Sequence, residues 1–300
     1  MEKIPLIDPP IQSMTLADGR QLTWQEFGSE GGRPVLYFHG GGSFSLEAGL
    51  FHREAVQRNI RLICPNRPGA GGTSVCPGRP VAAYSNDLRE LLDHLKVGTF
   101  ACLGESNGGM VTLAVAATMH DRVLGAIPIN PTVPWFDPMA RSVSPGGVAW
   151  AYQLMKWAPW LLRWMAKHGV AHARKTWLAA RDSGEDQSTF HPRQLMGPPP
   201  GTEPDIADLQ WQVTLQSRER GGLVPELAWS SSHWGFDLYS IPVPLDFFCG
   251  VYDAQAPFAL VLADRNPDAR FHYFSYGHHA FSHPDARRRM FDKISSYFSS

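Results

Sequence analysis

Gly104-Glu105-Ser106-Asn107-Gly108 reads G-x-S-x-G, and its flanks decide how the rest of the chain is read. Ahead of it runs Thr99-Phe100-Ala101-Cys102-Leu103, a short apolar run of strand type. Behind it, Gly109 to Ala117 is Ala-rich and suits a buried helix. A serine on a sharp strand-to-helix turn has strained backbone dihedrals, and side chains two residues to either side would clash. Glycine at 104 and 108 removes that clash. The stretch therefore predicts a strand, a tight turn with Ser106 at its tip, and a helix. The alternative is a glycine-flanked turn with an idle serine.

Working outward, 300 residues accommodate one large α/β domain with an insertion, or two smaller domains. Lys and Arg number 27 against 28 Asp and Glu, a formal charge of −1, which lacks the basic footprint of a nucleic-acid binder. Residues Met1 to Pro10 hold no apolar stretch of signal-peptide length, and no charge-free apolar run of about 18 residues occurs. No membrane span is expected. Cys64, Cys76, Cys102 and Cys249 form no C-x-x-C pair. Three of them sit in apolar strand-like runs, where reduced buried thiols are expected. A soluble cytoplasmic protein fits these features.

Strands and helices alternate along the chain. Ile11–Leu16 and Gln21–Phe27 read as a hairpin closed at Asp18-Gly19. Val35–Phe38 is a short strand that ends at His39-Gly40-Gly41-Gly42. Leu46–Arg58 suits a helix, Ile60–Cys64 a strand and Val81–Leu95 a second helix with apolar residues at helical spacing. Leu124–Asn130 reads as a strand that Pro128 weakens. From 131 to 225 no strand run appears, and seven of the ten tryptophans fall there, which marks a helical insertion. Alternation resumes with a strand to Cys249, a helix over Phe258–Arg265, a strand over Arg270–Phe274 and a terminal helix from Pro284. Such alternation predicts a mostly parallel sheet covered on both faces, with functional loops at the carboxyl ends of its strands. Four such loops carry His39, Ser106, Asp253 and His278.

These pieces together resemble the α/β-hydrolase fold superfamily, with an inserted helical cap, over nearly the whole chain. The resemblance rests on His39-Gly40-Gly41-Gly42, Arg67-Pro68-Gly69-Ala70-Gly71, Gly104-Glu105-Ser106-Asn107-Gly108, Gly250-Val251-Tyr252-Asp253 and Gly277-His278-His279-Ala280-Phe281, in the family's order. It implies a core formed by residues 1–130 and 226–300, with a cap over 131–225. It also implies a triad in the order Ser, acid, His: Ser106, Asp253 and His278. The competing base is His279 and the remote competing acid Asp137, since Asn130 stands after the strand that holds Ile129. Oxyanion donors would be the Asn107 amide and those of Gly41 and Gly42. His39 reads as a loop organiser. Its three glycines precede neither a Walker motif nor a dinucleotide fingerprint. The His168/His172 and His279/His283 pairs have helical spacing but no third ligand, so no metal is expected.

Function follows as an expectation. The resemblance implies a cofactor-independent serine hydrolase, acting on carboxylic esters or lactones with an apolar acyl or ring group. Within the same fold it admits prolyl-aminopeptidase-like amide hydrolysis, thioester hydrolysis and carbon–carbon bond hydrolysis. Epoxide hydrolase or dehalogenase chemistry needs a carboxylate at the turn, which Ser106 excludes in its usual version. Trp157, Trp160 and Trp164 are candidates to line an apolar pocket for a small-molecule substrate; the alternative is that they form the cap's own core. A non-catalytic ligand receptor on this fold is the rival of a different class. The sequence is silent on oligomeric state.

Overall fold

The computed structural model describes residues 7–134, 136–143, 157, 158, 160, 161, 164, 168, 175, 179, 233–251, 253–274 and 284–299. Eight strands run through them: β1 (Gln12–Thr15), β2 (Gln21–Gly28), β3 (Arg33–Phe38), β4 (Ile60–Pro65), β5 (Phe100–Glu105), β6 (Val123–Ile129), β7 (Leu245–Gly250) and β8 (Ala269–Phe274). They form one sheet in the spatial order β1-β2-β4-β3-β5-β6-β7-β8. β1 and β2 are the expected hairpin, with Gly19 at φ 85 in its turn. β2 is antiparallel to β4 as well, and every later pairing is parallel.

The helices divide between the two faces. On β3, Val35 and Tyr37 join a core with Phe51, Ala55, Met290 and Phe291, from α1 (His52–Gln57), α6 (Pro284–Ser296) and the turn that precedes α1. Leu36 and Phe38 join the opposite core with Leu88, Val111 and Leu262, from α2 (Tyr84–His94), α3 (Asn107–Thr118) and α5 (Ala256–Arg265). Successive side chains of a strand point to opposite faces, so one apolar run feeds two cores. The expected α/β fold with a doubly covered, mostly parallel sheet is what forms.

One local expectation changes. The helix expected over Leu46–Arg58 is divided into a 3-10 helix, Ser45–Phe51, and α1. Leu46, Ala48, Leu50 and Phe51 are all buried, so the segment is wedged into the core rather than presenting one apolar stripe. Pro128 does lie inside a central strand. The amides of Ala126 and Asn130 donate to Pro244 and Phe248 (2.9 and 3.1 Å), and Pro128 between them has no N–H to give. One missing rung is tolerated because the ladder on the β5 side continues through Gly104, Pro128's partner.

The chain leaves the sheet at Ile129 and returns at Leu245, on the adjacent strand. The expected cap over 131–225 lies largely outside the described residues, apart from α4 (Pro138–Val143), the segment before it and isolated positions. The boundary at 225 also lies outside them. Among the described residues no helix is long and apolar enough to cross a membrane. Cys64, Cys102 and Cys249 are buried and unpaired, and burial raises all three thiols; Cys76 is half-buried.

α6 is anchored by charge as well as by apolar contact. Arg287 is fully buried and its Nε donates to Glu54 Oε1 of α1 at 3.0 Å. Arg288, the next residue, makes only an exposed pair with Asp285. Removing one partner of a buried pair strands the other charge, which costs about 3–5 kcal/mol, whereas exposed pairs contribute about 0–1 kcal/mol. In denaturant titrations Arg287→Ala is therefore expected to lose several kcal/mol and Arg288→Ala less than about 1 kcal/mol. Equal losses would show that the buried pair does not anchor α6.

Candidate active site

β5 ends at Glu105 and α3 begins at Asn107, so Ser106 alone turns the chain, with φ 54 and ψ −114. A non-glycine residue at positive φ costs on the order of 1–3 kcal/mol and persists only where its surroundings over-determine it. They do so here. Ser106 N–H donates to Ile129 O (2.9 Å), and Thr132 N–H donates to Ser106 O (3.0 Å). Glycine is obligatory on both sides. A Cβ on Gly108 would stand 1.8 Å from Phe38 O, and one on Gly104 would stand 2.5 Å from Gly108 O. The first turn of α3 thus rests directly on the end of β3.

The loop after β3 closes over this turn. Gly42 has φ 70, and a Cβ on Gly41 would lie 2.8 Å from Asn107 Nδ2. Gly41 backbone and Asn107 are therefore neighbours. The Asn107 carboxamide is fixed in turn, its Oδ1 accepting from Thr132 Oγ1 at 2.6 Å. Amides at the start of α3 have no intrahelical acceptor and sit at the positive end of the helix dipole. That positive end begins at the residue after Ser106, with the glycine loop against it.

Buried polar groups hold the loop from below. Arg67, fully buried, donates through Nη1 to His39 O and through Nη2 to Gly40 O at 2.8 Å. Burial, and then the Arg67 charge, hold the His39 imidazole well below its ordinary value, so His39 is neutral. Its Nε2 accepts from Arg67 N–H at 3.4 Å, which leaves Nδ1–H for Gly40 O at 3.1 Å. His39 organises the loop, as the sequence suggested. From the other side, Glu47 Oε1 accepts from Gly40 N–H (2.8 Å) and Tyr37 Oη–H (2.6 Å). Sequence reading gave no role to Tyr37, Glu47, Glu105 or Arg67. The available signals were the acid at the second position of G-x-S-x-G and the lone acid in Leu46-Glu47-Ala48.

Asp253 follows β7, at the same end of the sheet as Ser106, and is buried. Its Oδ1 accepts from Gln255 N–H (2.8 Å) at the start of α5, which orients the carboxylate. Asn130, buried at φ 39, accepts from Gly250 N–H through Oδ1 (3.1 Å) and ties the end of β7 to that of β6. Asp137 is occupied elsewhere: Oδ1 accepts from Met139 and Ala140 N–H at 2.8 and 3.0 Å, and Oδ2 from Tyr239 Oη–H at 2.9 Å. His278 and His279 lie outside the described residues, beyond β8, which runs parallel to β7 and ends on the same side. Trp157, Trp160 and Trp164 are exposed, at 76, 69 and 57%.

The glycine contacts give a direct test. Gly108→Ala drives a Cβ into backbone at 1.8 Å, whereas Gly98→Ala meets nothing within 4 Å. Gly108→Ala is expected to destabilise by several kcal/mol or prevent folding, and Gly98→Ala to shift stability by about 0.5 kcal/mol or less. Comparable melting of the two variants would mean that α3 does not rest on β3 as described.

Comparison with known proteins places this geometry in a family. Residues 33–282 match the alpha/beta hydrolase fold family. Over 106 residues the chain is 37% identical to the dihydrolipoyllysine-residue acetyltransferase component of an acetoin cleaving system of Pseudomonas putida, covering 35% of this chain and 28% of that protein. The chain spans under half the length of the curated relatives it matches. It superposes on an esterase from Rhodococcus sp. with a TM-score of 0.68 at 18% identity, over 97% of this chain and 98% of that one. On the enol-lactonase of Burkholderia xenovorans the TM-score is 0.63 at 16% identity, over 96% and 100%. Such identities speak for the fold. With the family match extending from β3 to beyond β8, and with the Ser106 turn in its place between β5 and α3, the chain belongs to the alpha/beta hydrolase fold family.

Proposed function

We propose that this chain is a cofactor-independent serine hydrolase of carboxylic esters or lactones, working through an acyl-enzyme. The observation that carries the reading is Ser106, held at φ 54 between Gly104 and Gly108, with Gly41 against Asn107 beside it. A scaffold with no chemistry to perform has no physical need for that strain. In this reading Ser106 Oγ attacks the substrate carbonyl carbon while His278 takes its proton. Asp253 holds the imidazole tautomer and stabilises the cation. The amides of Gly41, Gly42 and Asn107 receive the negative oxygen, each worth about 3 kcal/mol in the barrier. Collapse of the tetrahedral adduct breaks the bond to the leaving group, to which His278 returns the proton; water then repeats the sequence on the acyl-enzyme.

Residues 131–225 act as the cap that selects substrate, and the exposed Trp157, Trp160 and Trp164 offer aromatic surface for an apolar acyl or ring group. The fold is shared with neighbours named esterase and enol-lactonase. Free cysteines throughout the described chain support a reducing, cytoplasmic setting.

An active-site phosphonate should label wild type and leave Ser106→Ala unlabelled. Absence of labelling on wild type would favour the ligand-receptor reading instead. Against the best ester of a p-nitrophenyl and lactone panel, Ser106→Ala should lose several orders of magnitude in turnover. Asp253→Asn should lose on the order of 10⁴. A loss below about tenfold at Asp253 would reassign the acid. His278→Ala should abolish activity while His279→Ala leaves a measurable fraction; the reverse order moves the base to His279.

The cap has its own test. Apolar contact made equally in ground and transition states raises KM on removal and leaves kcat nearly alone. At least one of Trp157→Ala, Trp160→Ala and Trp164→Ala should raise KM for a bulky apolar ester, and change that for an acetyl ester much less. If all three treat the two esters alike, substrate selection lies elsewhere.

A further inference from the structure

Beneath the glycine loop lie two acidic side chains that the reaction does not use. Glu47 comes from the 3-10 helix after β3 and Glu105 from the last position of β5; both are buried. They flank Gly40. A Cβ on that residue would stand 2.9 Å from Glu105 Oε2 and 3.5 Å from Glu47 Oε2. A side chain at Gly40 would press on the Glu105 carboxyl and touch that of Glu47. The oxygens of Glu47 are not equivalent. Oε1 accepts both Gly40 N–H and Tyr37 Oη–H, and Oε2 is slightly nearer the position of a Gly40 Cβ, at 3.5 against 3.7 Å.

Two carboxylates so close, both out of water, cannot both hold full charge cheaply. One proton on the pair removes that repulsion. We propose that Glu47 and Glu105 form a single-proton carboxyl pair that positions the Gly40–Gly42 loop against the Ser106 turn. The pair links the two segments that supply the oxyanion amides. Glu47 holds the loop by Gly40 N–H, and Glu105 is the backbone neighbour of Ser106. Both are positioning residues, and the inference rests on the hydrolase reading above.

The groups around Glu47 act in both directions: burial, with the Glu105 charge, outweighs the donors Ser43, Tyr37 and Gly40 N–H, which lower it. Among the described residues the titratable groups there are Tyr37 from β3, Cys64 from β4, and His39 and Arg67 from the loops after those strands. On α1, packed against the 3-10 helix, Glu54 is taken up by Arg287. Arg67 spends two donors on the His39 and Gly40 carbonyls. Burial, and then the Glu105 charge, push Glu47 up to about 7. A carboxyl raised in the folded state contributes stability that is fully present below its ordinary value near 4.5 and is lost as pH rises through about 7.

The test uses the full chain and two readouts. First, melting is followed from about pH 5 to pH 9. Wild type should lose melting temperature across the range up to about pH 8, and Glu105→Gln, which removes the like charge, should lose less. Equal slopes in the two proteins would overturn the single-proton pair. Second, kcat and KM are measured on one p-nitrophenyl ester. Glu47→Ala, which frees the loop, should drop kcat at least about tenfold with KM within about twofold, since the loop amides act on the developing oxyanion. Glu47→Gln should recover most of that loss, because its carbonyl accepts the same two donors and the side chain is uncharged, as the protonated acid is. A Glu47→Gln as impaired as Glu47→Ala, or a loss confined to KM, would overturn the positioning role. Should Glu47→Ala fail to fold, Glu47→Gln against wild type carries the kinetic arm, and a KM change without a kcat change rejects the role. If wild type neither turns over an ester nor takes the phosphonate, the hydrolase reading has failed instead. The melting arm then decides the pair alone.

Discussion

The first turn of α3 lies on the carbonyl of Phe38 with no side chain between them, and the rest of the site depends on that contact. It requires glycine at 108, and the sharp return of the chain requires glycine at 104. Ser106 is the residue left to absorb the turn, at positive φ. Because the support is the end of β3, the same contact sets how the loop leaving β3 meets the start of α3. One van der Waals constraint therefore fixes both the serine and the amides around it. No flexible linker intervenes, so the geometry is inherited from the sheet.

Above that backbone contact, the arrangement is stabilised by buried polar groups that spend their hydrogen bonds on main chain. Arg67 grips the carbonyls of His39 and Gly40, and Glu47 grips the amide of Gly40. A peptide held by its carbonyl from one side and its amide from the other cannot rotate. Burying an arginine and a glutamate is costly unless they are hydrogen-bonded, and here main chain takes Nη1 and Nη2 of Arg67 and, with Tyr37 Oη, occupies Glu47 Oε1. In the proposed reaction such amides would gain from fixed direction, since dipoles already aligned need no reorganisation as charge develops.

Much of this was legible in the sequence, because it is local. The elbow is written in five consecutive residues, the hairpin in Asp18-Gly19 and its flanks, and the sheet in the alternation of apolar runs with helical ones. Pro128 weakens the strand signal over Leu124–Asn130, yet β6 forms through it because the rung it removes is single. The break between Ser45–Phe51 and α1 escaped because periodicity cannot see a segment buried on every side. Glu47 and Glu105 escaped for a deeper reason. Each is an ordinary polar residue in its own segment, and only the parallel packing of β3 beside β5 brings their carboxyls to Gly40. Asp137 had been a remote alternative acid; its capping of α4 and its bond to Tyr239 depend on the fold in the same way.

The cysteines carry a consequence of a different kind. Cys64, Cys102 and Cys249 lie inside strands of the sheet, and burial disfavours their thiolates. The thiolate is the reactive form toward alkylating agents and oxidants, so these three are chemically silent while the sheet is intact. Cys76 alone is partly open to solvent. In the folded protein it is a single natural attachment point for a thiol-directed fluorophore or spin label, without any engineered substitution. The other three become countable only when strands separate. The number of thiols that react is thus a direct register of whether the sheet beneath Ser106 is still closed.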